Sequence, residues 1–444
     1  MATSGPAPTS SRYLIYEPPQ TPPRAASGEL APGQWQAATQ RMLSLFEPPQ
    51  PATGPVPGRL GELLTPDHIL KADQYPGLHN KRLQDGRTRN PQPLLPGAPN
   101  YRERGDGIHG VGQPTVEGMK NVLSQAGAGP DGSKEAVWTN LREEPVVYVN
   151  GIPFNLRKLD RPMDNLEAPG RSPEEVREIE QKLKAEVLEE AARNGGYLTL
   201  HDELPDGKLV ERKVRVETVQ TVDEVFDDLQ AEGFKVRFQR IPVTDTKKPE
   251  DQDLDRLVES LKDVPPDSAL IFNCHAGQGR TTTAMVVASM MRRSAADPEQ
   301  LGPLRKEEAL RDDLKEQGDF QPGNYRAILR GLSGAENLVK GRKDLDQIIH
   351  QYSDVYDLKG SVGKAREVAD NTTDPVQKEQ ASRRFVDALE RYYTLVAFEK
   401  YTREVGPGFS TSFSQWKAGQ PELEENLRQL QVARNRLPAD TAYA

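Results

Sequence analysis

The 444-residue chain has a single cysteine, Cys274. One thiol cannot close an internal disulfide, and no Cys/His spacing typical of a metal site is present, so we expect neither a disulfide framework nor a metal or other cofactor. No apolar run is long enough to span a bilayer, and the N-terminus lacks the basic and apolar stretches of a Sec signal peptide. A formal net charge of −9 and a pI of about 5.5 argue against general affinity for nucleic acid or membrane surfaces. These absences favour a protein of a reducing compartment such as the cytoplasm, and they leave export by a non-Sec route open.

Apolar periodicity is scarce in residues 1–95, which contain 16 of the 37 prolines. Such a composition cannot bury enough apolar area to offset the entropy of ordering, so this region is predicted to be mostly disordered. It contains a short repeat, in which residues 13–20 resemble residues 43–50 and each copy has an aromatic residue followed by Glu-Pro-Pro-Gln. An extended segment of this kind can dock a protein partner, but chance in a Pro-rich region explains the repeat equally well.

Residues 96–436 have the pattern of one globular domain. Strands alternate with helices before Cys274, which predicts an α/β fold with a central sheet flanked by helices, followed by a mainly helical C-terminal part. The predicted strands are about 145–149, 152–154, 197–201, 209–217, 236–241 and 268–272. The predicted helices are about 172–193, 222–232, 249–262, 281–291, 303–317, 334–350, 377–403 and 420–435. Asn150-Gly151 predicts a hairpin turn between the first two strands, and Ser172 with Glu175 predicts a capping box.

The lone thiol opens the run Cys274-His275-Ala276-Gly277-Gln278-Gly279-Arg280-Thr281. A cysteine, five residues, an arginine and a hydroxyl residue form the pattern of a phosphate-binding loop, here between a predicted strand and a predicted helix. The glycines let the backbone bend so that successive N–H groups converge on an anion, and the helix dipole adds to the positive potential. The predicted substrate-binding residues of the loop are His275, Ala276, Gly277, Gln278 and Gly279. A buried, inert cysteine at a strand end is the alternative interpretation.

The residue types of this loop suit phosphoryl transfer. Cys274, as a thiolate, would attack phosphorus and form a thiophosphate intermediate. Arg280 would grip two phosphoryl oxygens with its planar guanidinium, and the hydroxyl of Thr281 would stabilise the thiolate. Asp245 follows the neighbouring predicted strand and is the predicted general acid for the leaving oxygen, with a helix cap near Pro249 as its alternative role.

Basic residues concentrate in two segments, which favours a polyanionic substrate over a single phosphate. The first group brackets Asp245 and consists of Lys235, Arg237, Arg240, Lys247 and Lys248. The second group consists of Lys81, Arg82, Arg87, Arg89, Arg102 and Arg104. Taken singly, each of these side chains is explained equally well as a solvated surface charge.

The loop and residues 240–245 resemble the signature loop and the general-acid segment of the protein-tyrosine-phosphatase-like inositol polyphosphatases, the cysteine phytases. Residues 140–151 and 100–102 are also similar to this family, the former to paladin-like proteins as well. The resemblance covers about residues 98–420 and leaves the Pro-rich region unexplained.

The resemblance implies a tyrosine-phosphatase-like core fold and stepwise removal of phosphates from inositol hexakisphosphate without a metal. By position it implies that Cys274 is the nucleophile, Arg280 the phosphate clamp and Asp245 the acid. It further implies that Arg102 contacts the substrate, and the location of Lys248 near Asp245 predicts the same role for Lys248.

One residue departs from the family pattern, because Asn273 stands where the family's phytases carry His before the nucleophilic cysteine. Asn donates hydrogen bonds but has no charge that would favour a thiolate. The sequence therefore leaves three functions open: an inositol polyphosphate phosphatase, a protein-tyrosine or dual-specificity phosphatase, and a pseudophosphatase that binds phosphate and scaffolds partners. A Pro-rich leader before a phosphatase domain also suits an effector exported by a non-Sec route.

Overall fold

A computed structural model describes residues 50–52, 54–73, 95–166, 168–204, 207–295 and 336–435. The first copy of the Glu-Pro-Pro-Gln repeat, most of the second copy, the basic residues between 81 and 89 and the helix predicted at 303–317 lie outside the described residues. Within the described ranges, no helix is both long and apolar enough to cross a membrane.

The described residues form strands and helices that are numbered here in chain order. The strands are β1 (Gln50–Pro51), β2 (His68–Ala72), β3 (Arg102–Glu103), β4 (Ile108–Val111), β5 (Ala136–Arg142), β6 (Val146–Val149), β7 (Ile152–Lys158), β8 (Tyr197–Glu203), β9 (Leu209–Arg215), β10 (Val219–Thr221), β11 (Val236–Val243) and β12 (Ala269–Asn273). The helices are α1 (Val116–Gln125), α2 (Pro173–Arg193), α3 (Val222–Ala231), α4 (Asp251–Leu261), α5 (Gly279–Ala295), α6 (Glu336–Gln351), α7 (Leu358–Asn371), α8 (Pro375–Val405), α9 (Phe413–Ala418) and α10 (Pro421–Asn435).

A five-stranded sheet of order β11-β5-β12-β4-β3 carries the predicted phosphate-binding loop. Neighbouring strands from β11 to β4 run parallel, and β3 pairs antiparallel with β4. Because parallel strands end at the same edge, the segments that follow β5, β11 and β12 meet at one place. The predicted α/β class and the mixed sheet flanked by helices are confirmed.

Alternating side chains of β12 explain why helices cover both faces of this sheet. Leu270 and Phe272 pack into a core with α4, α5, α6 and α8. Ala269 and Ile271 point to the opposite face and pack into a core with α1 and α3. The strand is therefore buried on both sides, as its continuous apolar run predicts.

A second sheet of seven strands, in the order β1-β9-β8-β2-β7-β6-β10, packs against α2. Asn150 and Gly151 have φ angles of 51° and 78°, the left-handed turn conformation that the Asn-Gly pair predicts between β6 and β7. The predicted capping box of α2 is present, since Ser172 accepts from the N–H of Glu175 and the Glu175 carboxylate accepts from the N–H of Ser172.

The predicted disorder of residues 1–95 is wrong for residues 54–73. Strand β2 lies inside the seven-stranded sheet between β7 and β8, and Ile69 and Leu70 are fully buried. Arg59 is buried as well and forms an ion pair of 3.0 Å with Glu190. The five-residue strand is too short to alter the composition of a Pro-rich window, but the sheet supplies long-range partners for its backbone.

The C-terminal part is helical, as predicted, and packs against α5. Helices α6, α8 and α10 correspond to predicted helices, whereas α7 and α9 were not predicted. The side chains of α5 from Arg280 to Met291 are all buried, although the sequence predicted one apolar face. The sheet covers one side of α5 and the C-terminal helices cover the other, which explains its burial all round.

Candidate active site

The predicted phosphate-binding loop connects the end of β12 to the start of α5. Cys274, the first residue after the strand, is buried with 3% of its surface exposed. Gly277 has a φ of 68°, and a Cβ atom there would lie 2.4 Å from the backbone nitrogen of Gly112. Both the backbone conformation and the close approach require glycine at this position.

Three successive carbonyl groups of the loop are held from behind by residues between 98 and 113. The hydrogen bonds run from Gln113 N to His275 O (2.7 Å), from Asn100 Nδ2 to Ala276 O (2.8 Å) and from Arg102 Nη1 to Gly277 O (2.8 Å). In a trans peptide the C=O and the following N–H point in opposite directions. The N–H groups of the next residues therefore face the front of the loop, which is the arrangement of an anion-binding nest.

The hydroxyl of Thr281 donates a hydrogen bond of 3.1 Å to Sγ of Cys274. Thr281 lies in the first turn of α5 and is fully buried, so its partner is fixed. The geometry expected for a hydroxyl that stabilises a thiolate is thus present.

Arg280 is buried and is held by groups from β11 and from the segment that follows β5. Its Nη1 lies 3.0 Å from the carboxylate of Glu144 and donates to the carbonyl of Val243 at 3.0 Å. Its Nε lies 3.3 Å from Oδ1 of Asp245. Within the described part of the chain, Nη2 has no hydrogen-bond partner. Burial would lower the pKa of Arg280, but the charges of Asp245 and Glu144 raise it above the usual value.

A chain of buried ion pairs joins the loop arginine to the seven-stranded sheet. Asp73 pairs with Arg142 at 2.6 Å, and Arg142 pairs with Glu144 at 3.1 Å. Glu144 then contacts Arg280. Burial would raise the pKa of Glu144, but the two arginines outweigh it and lower the pKa to about 2. The carboxylate is therefore an anion that orients Arg280.

Sequence reasoning missed the roles of Asp73, Arg142 and Glu144 at this site. Asp73 lies in the segment predicted to be disordered, directly after β2. Arg142 and Glu144 lie at the end of β5, beside the end of β12. One sequence signal could have identified Arg142 and Glu144: they are charged residues at the carboxyl end of a strand that neighbours the strand before the loop.

His275 lies at the edge of the ion-pair chain. Its Nε2 is 3.5 Å from Oδ1 of Asp73. Burial, together with the positive charge of Arg142, lowers the pKa of His275 well below its ordinary value. This side chain is neutral at physiological pH.

Asp245, the predicted general acid, lies beside the loop after the end of β11. Its Oδ1 accepts from the N–H of Thr246 at 3.0 Å, and its Oδ2 accepts from Nδ2 of Asn165 at 2.6 Å. The N-cap of α4 is Glu250, so the alternative role of Asp245 as a cap of this helix is excluded. Asn165 was missed because it lies between β7 and α2, far from Asp245 in sequence.

Arg102 does not lie where a substrate contact was expected. Its side chain is fully buried behind the loop, and it donates to Gly277 O, to Asn100 O (3.1 Å) and to Thr282 Oγ1 (2.8 Å). The structure contradicts the predicted substrate contact because the loop itself separates this guanidinium from the front. Lys248 is mostly buried and pairs with Glu250 at 2.9 Å. Its predicted substrate contact stays a prediction.

The basic group predicted around Asp245 does not form one patch. Arg240 is buried in an ion pair of 2.9 Å with Glu180. Lys235 and Arg237 lie at the start of β11, whereas Asp245 follows its end. Lys247 pairs with Asp387 of α8 at 2.7 Å. Residues adjacent in sequence are spread over the length of a strand that rises about 3.3 Å per residue.

Asn273, the residue that departs from the family pattern, is hydrogen-bonded to uncharged side chains, one of which, Gln113, also accepts from Nη1 of Arg142 at 3.4 Å. Its Oδ1 accepts from Nε1 of Trp138 at 2.8 Å, and its Nδ2 donates to Oε1 of Gln113 at 3.1 Å. Gln113 in turn donates to the hydroxyl of Tyr148 at 2.7 Å. These hydrogen bonds fix the end of β12, but Asn273 itself contributes no positive charge next to Cys274.

A cleft of about 490 Å³ lies away from this loop. It is lined by residues at the start of β5 and β11 and at the end of α4, such as Ala136, Val236 and Ser260. Those positions are at the opposite end of the parallel strands from Cys274. Among the described residues, no group of three or more His, Cys, Asp or Glu side chains is placed to hold a metal ion.

Comparisons with known proteins show what this chain is similar to in sequence and fold. The model of the PTP-like phytase family, described by the words inositol hexakisphosphate, matches residues 139–292. Paladin of Gallus gallus is 26% identical over 359 residues, which cover 74% of this chain and 39% of paladin. Human paladin is 25% identical over 335 residues, covering 72% of this chain and 36% of paladin. The chain thus spans less than half the length of the curated relatives it matches.

Two further comparisons concern a shorter stretch of the sequence and the fold, respectively. The effector protein hopD2 of Pseudomonas syringae is 28% identical over 183 residues, covering 40% of this chain and 35% of the effector. The PTP-like myo-inositol phosphatase of Mitsuokella multacida, solved with myo-inositol-(1,3,4,5)-tetrakisphosphate, matches with a TM-score of 0.50 at 16% identity. This match covers 83% of this chain and 50% of that chain. Residues 139–292 therefore match the PTP-like phytase family model, in a chain that is similar in sequence to paladin and has the fold of the PTP-like phytases.

Proposed function

We propose that this protein is a cysteine-dependent phosphatase that hydrolyses phosphomonoesters of inositol polyphosphates. The observation that carries the proposal is the convergence of three groups at one sheet edge. Cys274 accepts a hydrogen bond from Thr281, Arg280 is oriented by Glu144, and Asp245 lies beside Arg280. These are the groups that nucleophilic attack, charge stabilisation and protonation of a leaving group require.

The first half-reaction uses Cys274 as the nucleophile. Its thiolate sulfur forms a bond to phosphorus while the bond from phosphorus to the inositol oxygen breaks. Asp245 donates its proton to that oxygen, so the alcohol leaves neutral. The loop N–H groups and Arg280 hold the non-bridging oxygens, and the product on the enzyme is a thiophosphate.

The second half-reaction uses water. Asp245, now a carboxylate, takes a proton from the water as its oxygen attacks phosphorus. The bond between sulfur and phosphorus breaks, and Cys274 leaves as a thiolate that the Thr281 hydroxyl stabilises. Phosphate is released, and the proposal assigns no step to a metal or other cofactor.

The substrate class is supported by the relatives. The matching family model is described by inositol hexakisphosphate, and the Mitsuokella phosphatase was solved with an inositol tetrakisphosphate. For this chain an inositol polyphosphate is therefore the first substrate to test, and a phosphotyrosyl protein is the second.

One observation favours a second function, a pseudophosphatase that binds phosphate and scaffolds partners. Asn273 is hydrogen-bonded to Trp138 and Gln113 and itself provides no charge to the nucleophile. In that case inositol hexakisphosphate binds without turnover, and Asn273→His creates or raises activity.

Phosphate release from inositol hexakisphosphate tests the proposal directly. The wild-type chain is assayed beside Cys274→Ser, in the presence of a chelator, and we expect release only from the wild type. Release no greater than that of Cys274→Ser would overturn the proposal, and tight binding without release would support the pseudophosphatase. A kcat/KM that is tenfold higher on a phosphopeptide than on inositol hexakisphosphate corresponds to about 1.4 kcal/mol of transition-state preference. Such a result would reverse the substrate assignment.

Export as an effector is a separate proposal, supported by the partial match to hopD2. Fractionation of the producing cells under secreting conditions tests it. Complete retention in the cell pellet would contradict it, whereas appearance in the medium without cell lysis is the expected outcome.

A further inference from the structure

Arg102 is a buried guanidinium that forms no ion pair with a carboxylate among the described residues. It lies on β3 at the edge of the five-stranded sheet, and none of its surface is exposed. Its neighbours accept hydrogen bonds through neutral atoms, the carbonyls of Asn100 and Gly277 and the hydroxyl of Thr282. A buried cation normally requires a counter-charge, as the carboxylate partners of Arg142 illustrate.

The neighbours of Arg102 place its charge behind the loop, close to Thr281. Gly277 and Thr282, which accept its hydrogen bonds, lie on either side of the last turn of the loop. A Cβ atom on Gly110 would lie 3.0 Å from both Arg102 Cζ and Thr281 Cγ2. These two side chains therefore lie next to each other beside Gly110. Thr281 is also the residue whose hydroxyl donates to Sγ of Cys274.

Cys274 interacts electrostatically with two arginines, Arg102 and Arg280. The charge of Arg280 is already shared with Glu144 and Asp245, which both contact it. Among the residues that the structure describes, Arg102 has no such carboxylate partner, so its attraction for an anionic sulfur is not offset in the same way.

The other titratable groups near this pair do not replace Arg102. His275 is neutral, because burial and Arg142 lower its pKa well below the ordinary value. Near Arg102, burial raises the pKa of Tyr352 well above 10, and Arg104 is paired with Asp354. Burial also lowers the pKa of Arg102 to about 9, against the opposing effect of Cys274, so the guanidinium stays charged at neutral pH.

We propose that Arg102 is a positioning residue that holds Cys274 as a thiolate from behind the loop, in addition to fixing the loop carbonyl of Gly277. The inference deepens the proposed function, because a thiolate at Cys274 is what that chemistry requires. It concerns the ionisation of the sulfur and can be measured without any turnover.

Alkylation by iodoacetamide between pH 4 and 10 tests the inference on the full chain. The chain has one cysteine, so the modification rate reports Cys274 alone. Replacing Arg102 by Gln should move the midpoint of the rate against pH upward by about one unit or more, the usual effect of losing an opposite charge nearby. Thr282→Val is the matched control: it removes a hydrogen-bond partner of Arg102 but keeps the charge, so the midpoint should stay at the wild-type value.

An unchanged midpoint in a folded Arg102→Gln variant, checked by circular dichroism, would overturn the inference. Where that variant does not fold, Arg102→Lys is used instead, because lysine keeps the positive charge but cannot form the several hydrogen bonds of the planar guanidinium. We expect its midpoint to stay within about half a unit of the wild type. A rise of one unit or more in Arg102→Lys or in Thr282→Val would show that loop geometry, not charge, sets the midpoint. A failed phosphatase assay leaves these results unaffected, so the two proposals fail separately.

Discussion

Nε of Arg280 lies 3.3 Å from Oδ1 of Asp245, so the proposed acid and the proposed phosphate clamp contact each other. A phosphate group that binds to Arg280 has to compete with this carboxylate. The same contact keeps Asp245 next to the place where a leaving oxygen would need its proton. Phosphate binding is therefore opposed by the contact between Asp245 and Arg280, whereas proton transfer depends on it.

Replacing Asp245 with Asn should strengthen binding while it removes turnover. In a Cys274→Ser background, Asp245→Asn removes one negative charge beside Arg280, and we expect about 1 kcal/mol tighter binding of inositol hexakisphosphate, roughly fivefold in Kd. With Cys274 present, kcat should fall about 100-fold or more. Isothermal titration and phosphate release measure the two effects. Asp251→Asn is the control, since Asp251 pairs with Lys417 instead, and weaker binding by Asp245→Asn would contradict the prediction.

Replacing Glu144 with Gln should destabilise the fold as well as the site. Glu144 separates two buried arginines, Arg142 and Arg280, and its loss leaves both with one carboxylate fewer. Removing one partner of a buried pair typically costs about 3–5 kcal/mol. Urea denaturation measures the change, with the exposed Glu189→Gln as the control. Equal midpoints for the two variants would show that the ion-pair chain adds little to stability.

Two glycines of the loop should respond differently to alanine. At Gly277 the φ of 68° and the 2.4 Å approach to Gly112 N leave no room for a Cβ atom, so Gly277→Ala should lose activity and about 1–3 kcal/mol of stability. At Gly279 the nearest atom to an added Cβ is the end of the Arg391 side chain at 3.0 Å, which can move. Thermal unfolding and phosphate release compare the two variants. A Gly279→Ala variant worse than Gly277→Ala would contradict this account of the loop.

Acid should destabilise the protein through His201. This side chain is fully buried in β8, and neither ring nitrogen has a hydrogen-bond partner among the described residues. Burial and the charge of Arg59 lower its pKa from 6.5 to about 4, so the folded state binds its proton less readily than the unfolded chain. The contribution of His201 to the free energy of unfolding is therefore fully present above pH 6.5. It is lost as the pH drops towards 4, which lowers the free energy of unfolding by up to roughly 3 kcal/mol.

The slope of unfolding free energy against pH tests this prediction. His201→Gln should unfold with a shallower slope between pH 6.5 and pH 4 than the wild type. An identical slope in the two proteins would assign the acid sensitivity elsewhere. His109 is also buried, and burial lowers its pKa to about 3, so part of the slope should remain in the variant.

Local signals account for the parts of the fold that were predicted. The apolar run of β12, the capping box at Ser172 and the turn at Asn150-Gly151 each depend on neighbouring residues only. Helix α7 was missed because it buries only Leu358, Val362 and Ala369, an apolar pattern too sparse to predict a helix. Strand β5 was missed because all of its side chains are buried by packing against distant elements, which leaves no alternating pattern in the sequence. Strand β2 was missed for the same reason, inside a Pro-rich window.

The amino-acid sequence by itself determined that Cys274 and Gly277 lie in a loop after a strand and that Arg280 and Thr281 stand where the next helix begins, because the spacing along the chain sets that local geometry. Only the tertiary structure decided what surrounds the loop. It brought Asp73, Glu144 and Asn165 to one edge of the sheet and moved Arg102 from the expected substrate side to the buried back of the loop. The physical reason is that burial and counter-charges depend on parts of the chain that are distant in sequence, and a pattern of neighbouring residues carries no record of them.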